Sequence, residues 1–323
     1  MTVDPALADM MASVFSDHDP ASPTRPLWDT LESLGLTRLT TPAERGGSGA
    51  GWPEAAALLR AAASHGVSLP LAENDLLANW LLTKAGLPSD GSLRTACVLD
   101  GDGIARAVPW ARDADRIAVL WDAGGGWRAA DVPASSVRVD QATNLAGEAR
   151  DDVHVSLEDR PGVPVGGHLA EEFTLRGALA RSLQMTGAMD GVLRLTIEHA
   201  TTRTQFGRPL ARFQAVQHLI ADMAAETSLA RAATDAAVHG GPAPFTIAVA
   251  TSCARHAAAT VVRNAHQVHG AIGTTIEHPL HAYTLRALAW RSEFGSVHDW
   301  DERVAAAALT TDKDLWDLVS SPS

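Results

Sequence analysis

The sequence predicts an α+β fold that is mostly helical. We expect an N-terminal helical domain over 1–90, a small middle β domain over 91–160 and a C-terminal four-helix-type bundle over 161–323. Apolar residues recur at helical spacing before and after the middle region, whereas the short β-prone runs lie inside it. A chain of 323 residues is also long enough to form more than one packed layer.

The N-terminal region, to about Leu87, alternates helical stripes with turn residues. The apolar stripes are Trp28, Leu31 and Leu34, then Ala57, Leu58, Ala61 and Ala62. The turn residues are Pro23, Pro26, Gly46, Gly47 and Pro53. This pattern predicts short helices joined by tight loops.

Three short β-prone runs mark the middle region, at 96–99, 117–121 and 153–155. The glycines at 124–126 suit a hairpin that joins two of these runs. About 65 residues are enough for a few antiparallel strands, but not for a doubly wound parallel sheet with its crossover helices.

Alanine-rich helical sequence follows the β region and predicts the bundle. The second bundle helix carries an apolar stripe at Phe213, Val216, Leu219, Ile220 and Met223. The third helix runs from about Phe245 to Val268, where Gly270 and Gly273 stop it.

Composition narrows the class of protein. Apolar residues make up 46% and charged residues 20% of the chain, as in ordinary globular proteins. A net charge of -12 without a basic stripe argues against nucleic acid as a partner. The first residues lack a secretory pattern, and no uninterrupted apolar run approaches the ~20 residues that cross a bilayer. We therefore expect a cytoplasmic protein that binds no membrane, with Cys97 and Cys253 as free thiols.

One stretch of the bundle, 203–218, combines groups that could hold a dinucleotide. Arg203, Phe206, Gly207 and the helix-borne Gln214 offer a guanidinium, an aromatic ring, a glycine turn and an amide within a dozen residues. The alternative is purely structural: an arginine at the end of one helix, a turn, and the start of the next.

A second stretch, 264–273, ends a helix in a glycine-containing turn. Because glycine has no Cβ, backbone amides at Gly270 and Gly273 can approach an anionic group closely. By itself this pattern is also typical of an ordinary helix end.

Together these stretches resemble the C-terminal half of the acyl-CoA dehydrogenase family. The family shows an R-x-x-F-G turn, a helix opening with glutamine, a Q-x-x-G-G-x-G turn and E-[YH]-P. The matching residues here are Arg203, Phe206 and Gly207, then Gln214, then Gln267, Gly270, Ala271 and Gly273, then Glu277, His278 and Pro279. The match covers roughly 174–295, and the early stretch 42–49 is similar to the family's P-E-x-x-G-G-x-G loop.

This resemblance implies FAD-dependent α,β-dehydrogenation of an acyl-CoA thioester, with an electron-transfer flavoprotein or similar acceptor reoxidising the flavin. It implies that Arg203 and Phe206 meet the adenine and pyrophosphate of FAD, with Gln214 beside them. Because the family's flavin lies at a dimer interface, it also implies a homo- or hetero-oligomer. Gln267, Gly270 and Ala271 would then come from the partner subunit's side.

The catalytic base departs from the family pattern. Members commonly carry it in a Y-E-G-T turn, whose place is taken here by Glu293, Phe294, Gly295 and Ser296, so that Phe294 holds the glutamate's slot. Glu293, one residue earlier, becomes the candidate catalytic base if the turn is shifted by one residue. The alternative base position of the family, on the first bundle helix, holds Gly177.

The flavin-covering T-E-P-x-A-G-S-D loop of the family has no counterpart. A shortened chain of this kind resembles the subunits of actinobacterial heteromeric α2β2 acyl-CoA dehydrogenases, which act on CoA thioesters of steroid-derived acids. Two alternatives to a catalytic chain stay open: a non-catalytic partner subunit that stabilises a competent chain, and a helical scaffold without flavin.

Histidine pairs at His266 and His269 and at His278 and His281 have spacings that could suggest zinc. No cysteine or carboxylate set completes a tetrahedron around them. The sequence therefore predicts no metal site.

Overall fold

In the computed structural model, which describes residues 3–16, 18, 24–158, 162–310, 314 and 316, short helices occupy the N-terminal third of the chain. They are α1 (Pro5–Ser16), α2 (Thr24–Ser33), α3 (Trp52–Ser64), a π-helical stretch (Ala72–Asn79) and α4 (Trp80–Lys84). The expected turns at Pro26, Gly46–47 and Pro53 each lie at or near a helix boundary, and Pro23 lies outside the described residues.

The strands of the middle region form two small sheets. They are β1 (Arg94–Leu99), β2 (Ile104–Pro109), β3 (Arg116–Asp122), β4 (Trp127–Pro133), β5 (Arg138–Asp140), β6 (Arg150–His154) and β7 (Val163–Val165). The first sheet has the order β1-β3-β4-β7 and the second the order β2-β6-β5. Between the sheets, Cys97, Val119, Trp121, Val132 and Val153 belong to one buried apolar cluster.

The turn predicted at 124–126 is confirmed, because β3 and β4 pair antiparallel from Asp122 opposite Trp127, but the second strand of the hairpin is β4 and not one of the predicted runs. The few antiparallel strands expected are present, and the parallel pairing of β1 with β3 was not predicted. The chain can do this because β2 leaves the first sheet and pairs with β6 in the second, so that β1 reaches β3 through a crossover.

Long helices dominate the remaining described chain: α5 (His168–Thr202), α6 (Gln214–His239), α7 (Pro244–His269), α8 (Leu280–Trp290) and α9 (Val297–Thr310). A two-stranded hairpin, β8 (Thr204–Gln205) and β9 (Arg208–Pro209), separates α5 from α6. The predicted α+β class with mostly helical content is thereby confirmed, and α7 begins and ends within one residue of the sequence prediction.

The chain packs as two compact units. Unit 1 comprises Met1–Pro20, Ala56–Val67 and Ala178–Ser323, and unit 2 comprises Ala21–Ala55 and Ser68–Gly177. The division into domains at 90 and 160 stays a prediction, since these units describe how residues pack and not which parts fold alone.

Helix α7 is long and apolar enough, by length and composition, to cross a membrane. Of its apolar window, 61% is buried inside the structure, and the core helix of a soluble protein passes the same test. Arg255 and Asn264 lie buried on it. The absence of a membrane partner and the cytoplasmic location stay predictions.

Unit 1 depends on close helix approach, and Gly187 of α5 lies directly against the backbone of α3. A Cβ at this position would lie 2.8 Å from Arg60 Cα and 3.0 Å from Ala63 Cβ, and would also collide with the Arg60 carbonyl oxygen. The neighbouring atoms are mainly backbone, so they cannot rotate away.

We expect Gly187→Ala to lower the free energy of unfolding by about 1–2 kcal/mol. Alanine gains about 1 kcal/mol in helix propensity, whereas overpacking against the rigid backbone of α3 costs about 2–3 kcal/mol, the upper part of the usual range. Denaturant unfolding measures the difference. Gly125→Ala is the control, because a Cβ there meets open space; a Gly187→Ala protein as stable as that control would contradict the packing argument.

Candidate functional site

The hairpin after α5 presents an aromatic side chain at its tip. Phe206 and Gly207 both have positive φ, at 51° and 79°, as a two-residue type I′ turn requires. Phenylalanine is strained in this conformation, yet its side chain is 88% exposed. The ring is braced from one side by Phe213, whose centroid lies 6.1 Å away.

Arg203 stands at the base of this hairpin. Its N–H donates to the His199 carbonyl at 2.9 Å and its carbonyl accepts the N–H of Leu210 at 2.9 Å. The backbone position is thus fixed by the end of α5 and by the hairpin. The guanidinium is exposed, and within the described part of the chain it makes no hydrogen bond or ion pair. It is free to bind an anion.

Gln214 is the first residue of α6 and is exposed. The residue before it, Phe213, caps the helix only through its carbonyl, which accepts the N–H groups of Val216 and Gln217 at 3.0 and 3.1 Å. The side-chain amide of Gln214 therefore lies at the first turn of α6, which carries the partial positive charge of the helix. The connection between α5 and α6 separates Gln214 from Arg203.

The second stretch ends α7 in an open turn. Gly270 has φ +63° and ψ −146°, a conformation largely restricted to glycine, and a Cβ there would meet nothing within 4 Å. Gln267, Gly270 and Ala271 are all exposed. The backbone at this turn can therefore be approached closely by a ligand.

A histidine cluster joins the two stretches. His199, one turn before Arg203, stacks on His269, one residue before Gly270, with ring centroids 4.4 Å apart. His278 packs edge-on against His269 at 4.8 Å. The structure thus brings both predicted stretches to the same end of the bundle within one chain. The prediction that Gln267, Gly270 and Ala271 act from a partner's side stays a prediction.

The nitrogens of His199, His269 and His278 lie within 4.8 Å of one another, a grouping that the sequence pairs did not reveal. The rings of His199 and His269 are nearly parallel, at 23°. Their in-plane lone pairs therefore run side by side instead of converging, and the prediction of no metal stays a prediction.

Burial keeps His269 neutral. Its Nδ1 lies 2.8 Å from the Ala265 carbonyl, and its Nε2 is buried with no partner among the described residues. Burial lowers the pKa of His269 to about 4, and the neighbouring histidines act in the same direction. Burial also lowers the pKa values of His199 and His266.

This cluster predicts a loss of stability in weak acid. Because the pKa of His269 is lower in the folded state than its ordinary value of 6.5, the unfolded chain binds more protons between about pH 6.5 and 4. The free energy of unfolding should fall through this window, by at most about 3 kcal/mol for His269 alone. Denaturant unfolding at several pH values should show a flatter profile for His269→Leu than for wild type or for His218→Asn, an exposed control. Parallel profiles would contradict this assignment.

The candidate base, Glu293, is engaged in an ion pair. Its Oε2 accepts a hydrogen bond from Nε of Arg181 at 2.6 Å, and Arg181 also donates to Gln184 Oε1 at 2.6 Å. The side chains of Arg181 and Glu293 are only 3% and 17% exposed. The ion pair occupies Oε2 of the carboxylate and fixes the side chain against α5. The role of Glu293 as the catalytic base stays a prediction. Its ion pair with Arg181 favours a structural role.

Arg255 of α7 fixes the turn that carries Glu293. Its Nη1 donates to the Arg291 carbonyl at 2.6 Å and to the carbonyl of Gly295, and its Nη2 donates to the carbonyl of Glu293. Arg255 is fully buried, and burial lowers its pKa to about 10, so it remains a cation at neutral pH.

The register of this turn is further set by Trp300, whose Nε1 donates to the Phe294 carbonyl at 3.0 Å. Phe294 has φ 56° and its ring centroid lies 5.8 Å from Arg181 Cζ. Glu293 and Phe294 therefore both contact Arg181. The role of Arg255 could not be found from the sequence, because an arginine inside an apolar helix gives no sign of which distant carbonyls it binds.

Unit 2 contains an open cleft of about 910 Å³ beside Trp121 and Trp127. Its lining carries the acidic Asp100, Asp122 and Glu158 against the single cation Arg128, so the described lining has an excess of negative charge, which disfavours an anion such as a pyrophosphate.

Comparisons with known proteins agree on one family. The family model for the acyl-CoA dehydrogenase C-terminal domain matches residues 165–297. The protein named acyl-CoA dehydrogenase IpdE2 of Mycobacterium tuberculosis (strain ATCC 25618 / H37Rv) is 30% identical over 270 residues, which cover 81% of this chain and 80% of that protein. Acyl-CoA dehydrogenase FadE27 of the same organism is 27% identical over 307 residues, covering 81% of this chain and 82% of that protein.

A solved structure shares the fold. A chain in the crystal structure of the ChsE4-ChsE5 complex from Mycobacterium tuberculosis superposes with a TM-score of 0.84, covering 97% of this chain and 99% of that chain. At 23% identity this similarity concerns the fold alone.

Proposed function

The chain belongs to the acyl-CoA dehydrogenase family, and we propose that it is one subunit of a heteromeric FAD-dependent enzyme that desaturates an acyl-CoA thioester. In this proposal the chain contributes contacts to the adenine and pyrophosphate of FAD, and another chain supplies the base. The observation that carries it is that the stacking of His199 on His269 brings the stretch of Arg203 and Phe206 to the same end of the chain as the open turn at Gly270. Arg203 and Phe206 are both exposed, and Arg203 has no side-chain partner among the described residues.

The residues present fit the cofactor. A guanidinium without a partner among the described residues suits a pyrophosphate, and an exposed aromatic ring suits adenine. The Gly270 turn leaves space for close approach of a phosphate oxygen to the backbone, because a Cβ would meet nothing there. Gln214 and Gln267 add amide donors at the same end. These are the functional groups that a dinucleotide requires.

Assembly is supported by apolar side chains around the same end of the bundle. Phe206, Ile272 and Ile276 are 88%, 47% and 83% exposed. Exposed apolar groups close to a candidate ligand site mark surfaces that another chain covers. The solved chain that shares this fold comes from a complex of two different chains, ChsE4 and ChsE5. This favours a hetero-oligomer over a homo-oligomer here.

The division of labour follows from the chemistry. Bound FAD supplies hydride acceptance at its flavin ring, and a carboxylate must remove the acyl α-proton. In this chain the candidate turn places Glu293 against Arg181, and Phe294 has no proton-accepting group. A chain that binds the dinucleotide, but in which the carboxylate of this turn is held in an ion pair, fits the role of the non-catalytic partner. An electron-transfer flavoprotein or similar acceptor would reoxidise the flavin.

Co-expression with the neighbouring gene's product tests the proposal. We expect a yellow complex, with FAD absorption and acyl-CoA turnover that the isolated chain lacks. A yellow chain that turns over acyl-CoA alone would show a self-sufficient enzyme. A colourless monomer, both alone and with its neighbour, would leave the helical scaffold as the function.

Glu293→Gln decides the role of the candidate base. We expect the complex to keep its flavin and most of its turnover, with a stability loss of about 1–2 kcal/mol because a charge-assisted hydrogen bond becomes a neutral one. The control is Glu302→Gln, on the exposed face of α9. Turnover lost with flavin retained would instead identify Glu293 as the base of this chain, as the shifted turn predicts.

A further inference from the structure

Unit 2 contains a half-enclosed cavity of about 280 Å³ that none of the predicted site residues lines. The loop 40–51, the π-helical stretch and the N-terminal part of α5 surround it. Its volume is just below the range of about 300–1,000 Å³ that encloses a whole small ligand. A cavity of this size suits the end of a larger ligand.

Arg176 of α5 lines this cavity and lies between two tryptophans. Its Cζ is 5.0 Å from the ring centroid of Trp52 and 4.8 Å from that of Trp80. Its Nε donates to the Leu76 carbonyl at 2.8 Å. Both Nη atoms lack a hydrogen-bond partner among the described residues. The guanidinium plane is thereby held in place, and its two Nη groups can donate hydrogen bonds to a ligand.

The charge of Arg176 is not matched by an ion pair within the described residues. Burial lowers its pKa to about 10, against the opposing influence of Glu172 and Asp75, so it remains a cation at neutral pH. Arg176 is partly buried, and a cation that is partly withdrawn from water without a counterion is destabilising. Cation–π contact with the two indoles recovers only part of that cost.

Asp75 does not serve as the missing counterion. Its carboxylate accepts the N–H groups of Thr40 and Thr41 at 2.8 and 3.2 Å and the Thr41 hydroxyl at 3.0 Å. These bonds anchor the loop on which Thr40 and Thr41 lie. Burial raises the pKa of Asp75, against the effect of these hydrogen bonds.

Two other residues that line the cavity have buried polar atoms without partners in the described chain. Trp80 Nε1 is a donor and Asn79 Oδ1 an acceptor. Asn79 is fully buried, and its amide nitrogen is used in a bond to the Asn74 carbonyl at 2.7 Å. Buried polar groups are normally hydrogen-bonded, so Trp80 Nε1 indicates an acceptor that is missing from the protein alone. A carboxylate can supply that acceptor, whereas Asn79 Oδ1 requires a donor such as water.

The backbone beside the cavity is unusual as well. Residues Ala72–Asn79 form a π-helix, and every one of them is buried. Such stretches are rare and are frequently found at functional sites. Here it places Asp75 and Asn79, both polar and both buried, at one cavity.

We propose that this cavity binds a carboxylate group, carried at the far end of the acyl moiety of a CoA thioester. The carboxylate neutralises Arg176 and accepts hydrogen bonds from its Nη groups. This inference rests on the proposed function for the thioester, whereas recognition of the carboxylate depends only on the cavity. A free short dicarboxylate has the same chemistry, and the experiment separates the two sources.

The first arm uses the purified chain with adipate as the probe and 1,6-hexanediol as the neutral probe of equal length, and follows binding by titration calorimetry. We expect adipate to bind and the diol not to bind. Arg176→Gln should weaken adipate binding roughly tenfold or more. Arg106→Gln, which removes an exposed arginine of unit 2, should leave it unchanged. Equal binding of both probes, no binding of adipate, or no effect of Arg176→Gln overturns the carboxylate site.

A second variant guards against misfolding. Arg176→Lys keeps the charge and should retain part of the adipate affinity, while circular dichroism checks that both variants are folded. A lysine variant as weak as the glutamine variant, with both folded, would show that the fork geometry of the guanidinium is required and supports the site. Full affinity in the glutamine variant overturns it.

The second arm uses the complex with its partner chain, and compares adipoyl-CoA with hexanoyl-CoA. We expect kcat/KM to favour adipoyl-CoA roughly tenfold or more, and Arg176→Gln to remove the preference. Adipate binding without that preference overturns the acyl source and leaves a site for free dicarboxylates. If the complex turns over neither thioester, the proposed function fails, and the first arm still decides the cavity.

Discussion

Arg203→Ala should lower the affinity of the assembled protein for FAD roughly 10- to 150-fold. The guanidinium has no partner among the described residues, so its full charge-assisted interaction with the pyrophosphate is lost, at about 1.5–3 kcal/mol. Because Arg203 is exposed and its backbone bonds remain, the stability of the chain should hardly change. Flavin absorption after dialysis, followed by titration with FAD, measures the affinity.

Arg212→Ala is the matched control. Arg212 is exposed on the same connection between α5 and α6, and its removal changes the net charge by the same amount. An equal loss of FAD in both variants would indicate a general charge effect. Unchanged occupancy in Arg203→Ala would remove the dinucleotide site from this end of the bundle.

Arg255→Met should lower the free energy of unfolding of the chain by about 3 kcal/mol or more. The substitution leaves the carbonyls of Arg291, Glu293 and Gly295 without their buried donor, and each such loss costs about 1–3 kcal/mol. Methionine fills a similar volume, so the effect reports lost hydrogen bonds more than a cavity. Thermal unfolding of the purified chain is the measurement.

Two comparisons sharpen this result. Arg255→Lys keeps the charge but cannot reach three carbonyls with one planar fork, so we expect an intermediate loss. Arg208→Met, which removes an exposed arginine stacked on Phe213, should cost less than about 1 kcal/mol. If Arg255→Met proved as stable as Arg208→Met, the turn at 291–295 would owe its shape to other contacts.

Tight turns at glycine and aromatic motifs could be predicted from the sequence, because their backbone conformation depends on residues that are close along the chain. A Phe-Gly pair after a helix predicts a tight turn, and the structure shows positive φ at both Phe206 and Gly207. The helix over 245–268 could be placed because apolar periodicity and a terminal glycine mark both of its ends.

The contacts of single polar side chains could not be predicted from the sequence. The family motif places Gly177 at the alternative position of the catalytic base, whereas the charged side chain that lines the smaller cavity of unit 2 is that of its neighbour Arg176. Likewise Glu293 was visible as a carboxylate, but its pairing with Arg181, 112 residues earlier in the chain, was not. Such pairs depend on how α5 packs against the turn after α8, and periodicity contains no information on that packing.

The sequence by itself determined the fold class, the order of the helical and strand-rich regions and the family, and it predicts two stretches suited to a dinucleotide. These follow from spacing along the chain, which fixes local backbone structure. Only the tertiary structure decided that His199 and His269 bring those stretches together, that Arg255 sets the turn of Glu293, and that Arg176 lies partly buried with no counterion in the part of the chain that the structure describes. Burial and pairing of charges arise between residues distant in sequence, and they exist only once the helices have packed.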